Sequence, residues 1–380
     1  VGAIDLRQMA AAVRTLARGQ LARYGGTGTS ETAKFEREMA SFIGVDHVLA
    51  VNSGTSALVC ALVGLGVGPG DEVLVPAYTW VSSAAAAVAI GAVPVLVEID
   101  ESLTMDPADL ERKITPRSKA IIPVHMLNLV CDMDRIMKVA EGHDLVVVED
   151  ACQAIGATYR GRRVGSIGKA GAFSFNQHKN IRSGEGGAVL TNDERVFVRA
   201  GMFHDVGSYI RAERVEHDEP LFVGMNLRMP ELSSAILRPQ LRHLERQLAK
   251  RRARRAMMVE QLGTRRDLVI SPHHDADSAI GLTVWFEDPE EAKRFAVARG
   301  VNRLIETGRH VYTNWQPILA RRTFDTRVNP WRHSDVDYPA DLCPRTLEIL
   351  ERTCSVSLDP DVPMPVMRRV ARSIVATPTR

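Results

Sequence analysis

The chain has 380 residues, 45% hydrophobic and 25% charged, with a formal net charge of +2. That length exceeds what one hydrophobic core usually holds, so two domains are expected, and the composition is that of an ordinary globular protein. The charge balance argues against nucleic acid or anionic membrane as partner, and no apolar run is long enough for a membrane helix. The five cysteines, Cys60, Cys131, Cys152, Cys343 and Cys354, show no CxxC spacing. Free thiols in a reducing compartment are therefore expected, with neither a disulfide framework nor a metal site. No signal peptide is visible after Val1, and a cytoplasmic location is expected.

In chain order, Phe35, Met39 and Phe42 recur at i, i+4 and i+7, which predicts a helix with one apolar face. Residues 48–51 read as a strand and 56–65 as a helix. Strands follow at 72–76 and 93–98, with the alanine-rich run 81–92 between them as a buried helix. Further strands are expected at 120–124, 145–149, 172–175 and 187–191, and a helix at 133–140. Several strands are apolar throughout, which suits a largely parallel sheet covered on both faces. The alternation argues α/β architecture. Near Pro239 the pattern changes, with a long basic helix over 241–262, a weaker strand over 281–286 and an Arg- and Pro-rich stretch. We expect a large domain over 1–240 and a smaller one over 241–380. Lys250-Arg251-Arg252 and Arg254-Arg255 lack interleaved aromatics, so they read as a solvated helix face rather than a nucleic-acid site.

Three segments carry chemistry. In Asn52-Ser53-Gly54-Thr55-Ser56-Ala57 a strand ends, a glycine turns and a helix begins. A helix start offers free N–H groups and a positive dipole end to a phosphate, although Ser and Thr are also common caps. In Val146-Val147-Val148-Glu149-Asp150 an acidic residue sits at the carboxyl end of an apolar strand, where α/β proteins bind ligands. Asp150 there suits a protonated ring nitrogen, or a helix cap. Lys179 follows a buried-looking strand and precedes the glycine-rich Gly184-Glu185-Gly186-Gly187. A lysine so placed can form a Schiff base, and Ser174, five residues earlier, can offer a hydroxyl to a phosphate.

In this order the segments resemble the DegT/StrS family of sugar aminotransferases, which are fold-type-I pyridoxal-phosphate enzymes. The matching stretches include "FEREMASFIGVDHVLAVNSGTSAL", "GPGDEVLVPAYTWVSSAAA", "VVVEDACQAIGATYRGRRVGSIGKAGAFSFNQHKN", "GEGGAVLTND" and "GMNLRMPELSSAIL". The resemblance implies a seven-stranded, mostly parallel sheet with a smaller C-terminal α+β domain. It makes Lys179 the Schiff-base lysine, Asp150 the partner of the pyridine nitrogen and Gln153 the neighbour of the phenolic oxygen. Trp80 would stack on the ring, and Thr55, Ser56 and Ser174 would touch the phosphate. Asn226 would reach the phosphate of a neighbouring subunit, which implies a homodimer with shared active sites. Arg228, His310, Tyr312 and Trp315 are candidates to face substrate, with an ion pair for Arg228 and a packed aromatic cluster for the others as alternatives. The implied activity is amino transfer from glutamate or glutamine to a keto sugar or sugar-like ketone: a nucleotide sugar, a cyclitol or an octulosonate.

Other activities stay open on the same residues. Family dehydratases carry histidine in place of the lysine; here His178 is adjacent, but its spacing from Ser174 puts Lys179 at the Schiff-base position. Ring formation in aminobenzoate synthesis also belongs to the family, and a non-catalytic regulatory protein on this fold would lack the cofactor's absorbance. Two departures lie near the substrate. Met126-Leu127-Asn128 stands where the family often ends a short stretch in glycine, and Asn176-Gln177-His178 replaces an aromatic-Pro pair. The stretch Leu21 to Gly26 and the surroundings of His310 incline the reading slightly away from nucleotide-sugar acceptors.

Overall fold

The computed structural model describes residues 5–24, 30–207 and 218–379; Gly25 and Gly26 of the stretch noted above lie outside them. Thirteen strands are assigned among the described residues, in chain order β1 (His47–Val51), β2 (Glu72–Pro76), β3 (Val93–Val97), β4 (Ser118–Ile121), β5 (Val146–Asp150), β6 (Thr158–Tyr159), β7 (Arg162–Arg163), β8 (Ala170–Ser174), β9 (Gly187–Thr191), β10 (Val269–Ile270), β11 (Thr283–Trp285), β12 (Val301–Arg303) and β13 (Thr353–Val356). Seven of them form the main sheet, ordered β1-β9-β8-β5-β4-β2-β3. Only β9 runs against its neighbours. The sheet is thus mostly parallel, and the expected strands stand within two residues of their places at the N-terminal ends.

Successive residues along these strands belong to two different cores. Leu49, Val51, Val73, Val75, Val148, Ala172 and Val189 pack on one face. Val48, Ala50, Leu74, Val147, Phe173, Ala188 and Leu190 pack on the other. That is the two-residue alternation of a pleated strand, with helices covering both sides. Helix Gly54–Gly64 is buried along almost its whole length, hence its lack of a polar face. The alanine-rich run forms the buried helix Ser82–Ala89. Helix Glu31–Ile43 buries Phe35 and Met39, as its spacing predicts.

The expected helix over 241–262 stands as the single helix Leu244–Leu262, and a first helix, Glu231–Leu241, precedes it. Leu241 ends the first, and the chain turns at Arg242 and His243. The basic run is not a solvated face. Arg254 is buried and donates to the carbonyls of Pro360 and Val362 at 3.0 and 2.6 Å. Arg255 donates to Gly281 at 3.0 Å, and Arg252 pairs with Glu245 at 2.8 Å. Carbonyls left bare by irregular chain after β13 and before β11 need donors, and long guanidinium forks reach them.

The second sheet, ordered β10-β11-β13-β12, is antiparallel throughout. Its core gathers Met258, Leu262, Phe286, Phe295, Cys354 and Met367. A boundary at 240/241 separates the two sheets but cuts the first core. Leu304, Tyr312, Trp315, Ile318, Trp331 and Leu350 pack with the main sheet. The five cysteines are buried and free. No helix among the described residues is long and apolar enough to cross a membrane.

Candidate active site

The carboxyl ends of β1, β2, β5 and β8 open on one cavity of about 980 Å³. Ser53, Gly54, Thr55, Trp80, Asp150, Gln153, Ser174, Lys179 and His310 all line it.

β1 delivers the first wall. Ser53, in an extended conformation, caps helix Gly54–Gly64 by accepting from the Ser56 N–H at 3.1 Å. A helix start leaves first-turn N–H groups unspent, and these sit at the cavity. Gly54 allows close contact here: an added Cβ would lie 2.7 Å from Ser174 Cβ and 3.0 Å from Cys152 Sγ. Thr55 Oγ1 donates to Ser82 Oγ at 2.8 Å. Ser56 turns away instead, donating to Asn52 Oδ1 at 2.7 Å, and does not line the cavity.

β5 ends in Glu149 and Asp150, which the pleat sends to opposite faces. Glu149 is fully buried, accepting from the Gly165, Ile167 and Gly168 N–H groups at 2.8, 2.5 and 2.7 Å and facing His125 Nε2 at 3.0 Å. Asp150, only 5% exposed, points into the cavity. Its Oδ2 accepts from Ser83 Oγ at 2.7 Å and its Oδ1 from the Cys152 N–H at 3.1 Å. Ser83 has no role in the sequence reading, because nothing in "TWVSSAAA" marks which serine faces the site. Burial, and then the charge of Asp150, raise the Cys152 thiol well above its usual range, so it is an inert lining group.

β8 ends at Ser174, whose Oγ accepts from the Asn176 N–H at 3.3 Å, and a turn brings in Lys179, whose N–H donates to Asn176 at 3.0 Å. The Lys179 amine has no hydrogen bond or ion pair among the described residues. Lys169, by contrast, is spent on Asp193 at 2.6 Å.

Gln153 Oε1 accepts from the Leu127 N–H at 3.2 Å. Leu127 and Asn128 both have positive φ, 54° and 63°. Asn tolerates the left-handed region nearly as glycine does, which is how Asn128 replaces a glycine; Leu127 is held there under strain. Asn180 Nδ2 clamps the turn through Asn128 Oδ1 at 2.9 Å.

Trp80, 37% exposed, forms the remaining wall. Its ring lies 5.1 Å from that of His310, and the Arg309 guanidinium sits 4.7 Å from the Trp80 centroid. His310 Nδ1 meets the Thr307 carbonyl at 2.9 Å and so must donate. Burial, aided by the charge of Lys179, lowers the imidazole pKa, which leaves Nε2 an acceptor.

Besides Ser56, four expected residues are not in this cavity. Tyr312 is buried, its hydroxyl accepting from the Cys343 N–H at 3.3 Å, and Trp315 is buried with Nε1 on the Arg309 carbonyl at 2.8 Å. Both are core, the packed-cluster alternative. Arg228 is ion-paired with Asp205. Asn226 is exposed, on a loop whose Leu227 carbonyl accepts from the Asn52 N–H at 2.8 Å.

The arrangement fits pyridoxal 5'-phosphate: an unspent lysine amine, a buried carboxylate oriented by two donors, an aromatic wall and a helix start beside a serine hydroxyl. Comparisons with known proteins agree. The chain is 42% identical to GDP-perosamine synthase of Caulobacter vibrioides over 247 residues, 63% of this chain and 64% of that protein. It is 37% identical to 3-amino-5-hydroxybenzoate synthase of Amycolatopsis mediterranei, over 88% of this chain and 85% of that protein. With L-glutamine:2-deoxy-scyllo-inosose aminotransferase of Micromonospora echinospora the identity is 40%, over 77% and 72%. The structure of DesV from S. venezuelae, in complex with a ketimine intermediate, superposes with a TM-score of 0.78 at 33% identity, covering 97% of this chain and 93% of that one. The fold is also that of the PLP-form of a putative sugar aminotransferase from Streptococcus pneumoniae, with a TM-score of 0.80 at 23% identity, covering 99% and 96%. Residues 4–375 match the DegT/DnrJ/EryC1/StrS aminotransferase family. The chain belongs to that family, and it is a pyridoxal-phosphate aminotransferase of fold type I.

Proposed function

We propose that this enzyme moves an amino group from glutamate or glutamine to the carbonyl of a keto sugar or sugar-like ketone, with Lys179 and Asp150 as its catalytic residues. The observation that carries the reading is the unspent Lys179 amine and the Asp150 carboxylate lining one cavity at the carboxyl edge of the sheet. The bound cofactor supplies an electron sink for the carbon that loses its proton. Lys179 Nζ anchors the cofactor and then carries that proton, a positioned transfer worth roughly 10²- to 10⁴-fold. Asp150, held by Ser83 and the Cys152 N–H, faces the pyridine nitrogen. The helix start at Gly54, with Thr55 and Ser174, takes the phosphate, Gln153 lies by the phenolic oxygen, and Trp80 covers the ring. Ser56 acts behind this wall, through Asn52 and Ser53. Asn226 serves the site of a second copy, so the working unit is a homodimer; its exposure off its own cavity supports this.

Borohydride reduction followed by peptide mass spectrometry tests the reading. The reduced cofactor is expected on Lys179, and Lys179→Ala should stay folded yet lose amino transfer. Attachment at Lys169 or elsewhere overturns the assignment. A second reading, formation of an aminobenzoate ring, draws support from the 37% identity over 88% of the chain to 3-amino-5-hydroxybenzoate synthase. Assay of cyclic ketones for an aromatic product separates the two.

A further inference from the structure

The cavity reaches well beyond the cofactor's walls. Past Leu127 and Gly281 it runs along helix Leu244–Leu262, where His243, Gln247 and Arg251 recur every four residues on one face. Asn302 and Ser355 of the small sheet, and Ser357 just past the end of β13, line it too. Its volume, about 980 Å³, lies at the top of the ~300–1,000 Å³ that small-molecule pockets span.

Arg251 stands apart in this lobe. Its neighbours Arg252, Arg254 and Arg255 are each committed to a carboxylate or a carbonyl. The half-buried Arg251 guanidinium has no hydrogen bond or ion pair among the described residues, and burial lowers its pKa. Asp359 and Asp361 attract it and Arg254 repels it, all at longer range. One turn earlier, Gln247 Oε1 is buried without a donor among the described residues. Both residues line the cavity, and a desolvated cation and a bare acceptor one helical turn apart are both costly until a partner satisfies them.

We propose that Arg251 and Gln247 form a substrate subsite for a carboxylate, Arg251 gripping the carboxylate and the Gln247 amide turning to accept from a hydroxyl or amine beside it. The inference rests on the reading of this cavity as an amino-transfer site. A carboxylate is preferred to a phosphate because Asp359 and Asp361, lining the same lobe, repel a dianion more than a monoanion. The carboxylate belongs either to the amino-acid donor or to an acidic acceptor.

Calorimetric titration of the holoenzyme distinguishes these sources. The probes are glutarate, a diacid with no amine or ketone; glucuronate, an acidic sugar; glucose, its neutral counterpart; and inorganic phosphate. Glutarate or glucuronate should bind, and Arg251→Met should weaken that binding about 10- to 100-fold, the size of one charge-assisted contact. Arg251→Lys should keep part of the affinity, and Arg252→Met all of it. Loss confined to glutarate assigns the site to the donor, and loss confined to glucuronate to the acceptor. Arg251→Met should melt no lower than the parent, since it removes a desolvated charge without a direct partner. The proposal is overturned if neither acid binds, if Arg251→Met binds both unchanged, if phosphate outcompetes both, or if Arg251→Met melts several degrees lower and Arg251→Lys restores it. Failure of the amino-transfer reading shows separately, as a missing cofactor adduct on Lys179.

Discussion

Glu149 and Asp150 are adjacent carboxylates with opposite employment, and the pleat of β5 decides which is which. Glu149 is consumed by three N–H groups and His125 on the far face. Asp150 is left for the cavity, steered by Ser83 and the Cys152 N–H. Asp150→Asn keeps the shape but removes the charge proposed to face the pyridine nitrogen. Turnover should fall by about 10²-fold or more, as when a preorganised electrostatic group is lost, while cofactor content stays near normal. Ser83→Ala removes one hydrogen bond to a charged group and should cost roughly 10-fold. Single-turnover kinetics with glutamate measure both, and near-normal turnover in Asp150→Asn would make it a mere cap. The acid was legible in sequence because it ends an apolar strand; Ser83 was not, because its partner lies 67 positions away.

At the scale of elements, the site depends on how closely helix Gly54–Gly64 meets the end of β8. In Gly54→Ala the new Cβ would lie 2.7 Å from Ser174 Cβ, a backbone-anchored atom that cannot swing aside. The helix start and Ser174 must then part, and equilibrium dialysis should show cofactor affinity lowered by about 10-fold or more, since both are proposed to hold the phosphate. Helix Glu194–His204 carries a different consequence. His204 is buried, its Nδ1 donating to the Gly201 carbonyl at 2.5 Å and its Nε2 meeting the Tyr24 hydroxyl at 3.2 Å. Burial lowers its pKa to about 4. The unfolded chain, with a histidine pKa of about 6.5, binds the proton first. Stability is therefore expected to fall as pH drops from about 6.5 toward 4, by up to roughly 3 kcal/mol from this residue. Melting curves across that window should show a shallower acid slope in His204→Gln; parallel slopes would refute the assignment.

For the whole molecule, Asn226 bears on the proposed assembly. It is exposed on a loop fixed to Asn52 and does not line its own chain's cavity. If it serves a second copy, Asn226→Asp places a carboxylate beside that copy's phosphate and should weaken cofactor binding. Mixing Asn226→Asp with Lys179→Ala subunits then puts both lesions in one site of a mixed dimer and leaves the other intact. Part of the activity absent from either parent should return. Exchange of subunits without any recovery would show that Asn226 serves its own chain or none.

The sequence alone determined the main sheet, because strands covered on both faces must be apolar at every position and their ends are marked by glycines and acids. It also marked out Lys179, Asp150, Thr55 and Ser174, since each lies at or near a strand end where an α/β sheet binds ligands, and the family resemblance added Gln153 and Trp80; all six line the one cavity. What lies within a few residues of such an end is legible from local pattern. Tertiary structure decided the rest. It turned Ser56 toward Asn52, placed Tyr312 and Trp315 in the core of the main sheet, and spent Arg254 on carbonyls more than 100 positions ahead. It also left Arg251, three residues earlier, at the cavity wall without a direct partner among the described residues. Burial and hydrogen-bond partners at such separations depend on how distant segments meet, and no local spacing encodes that.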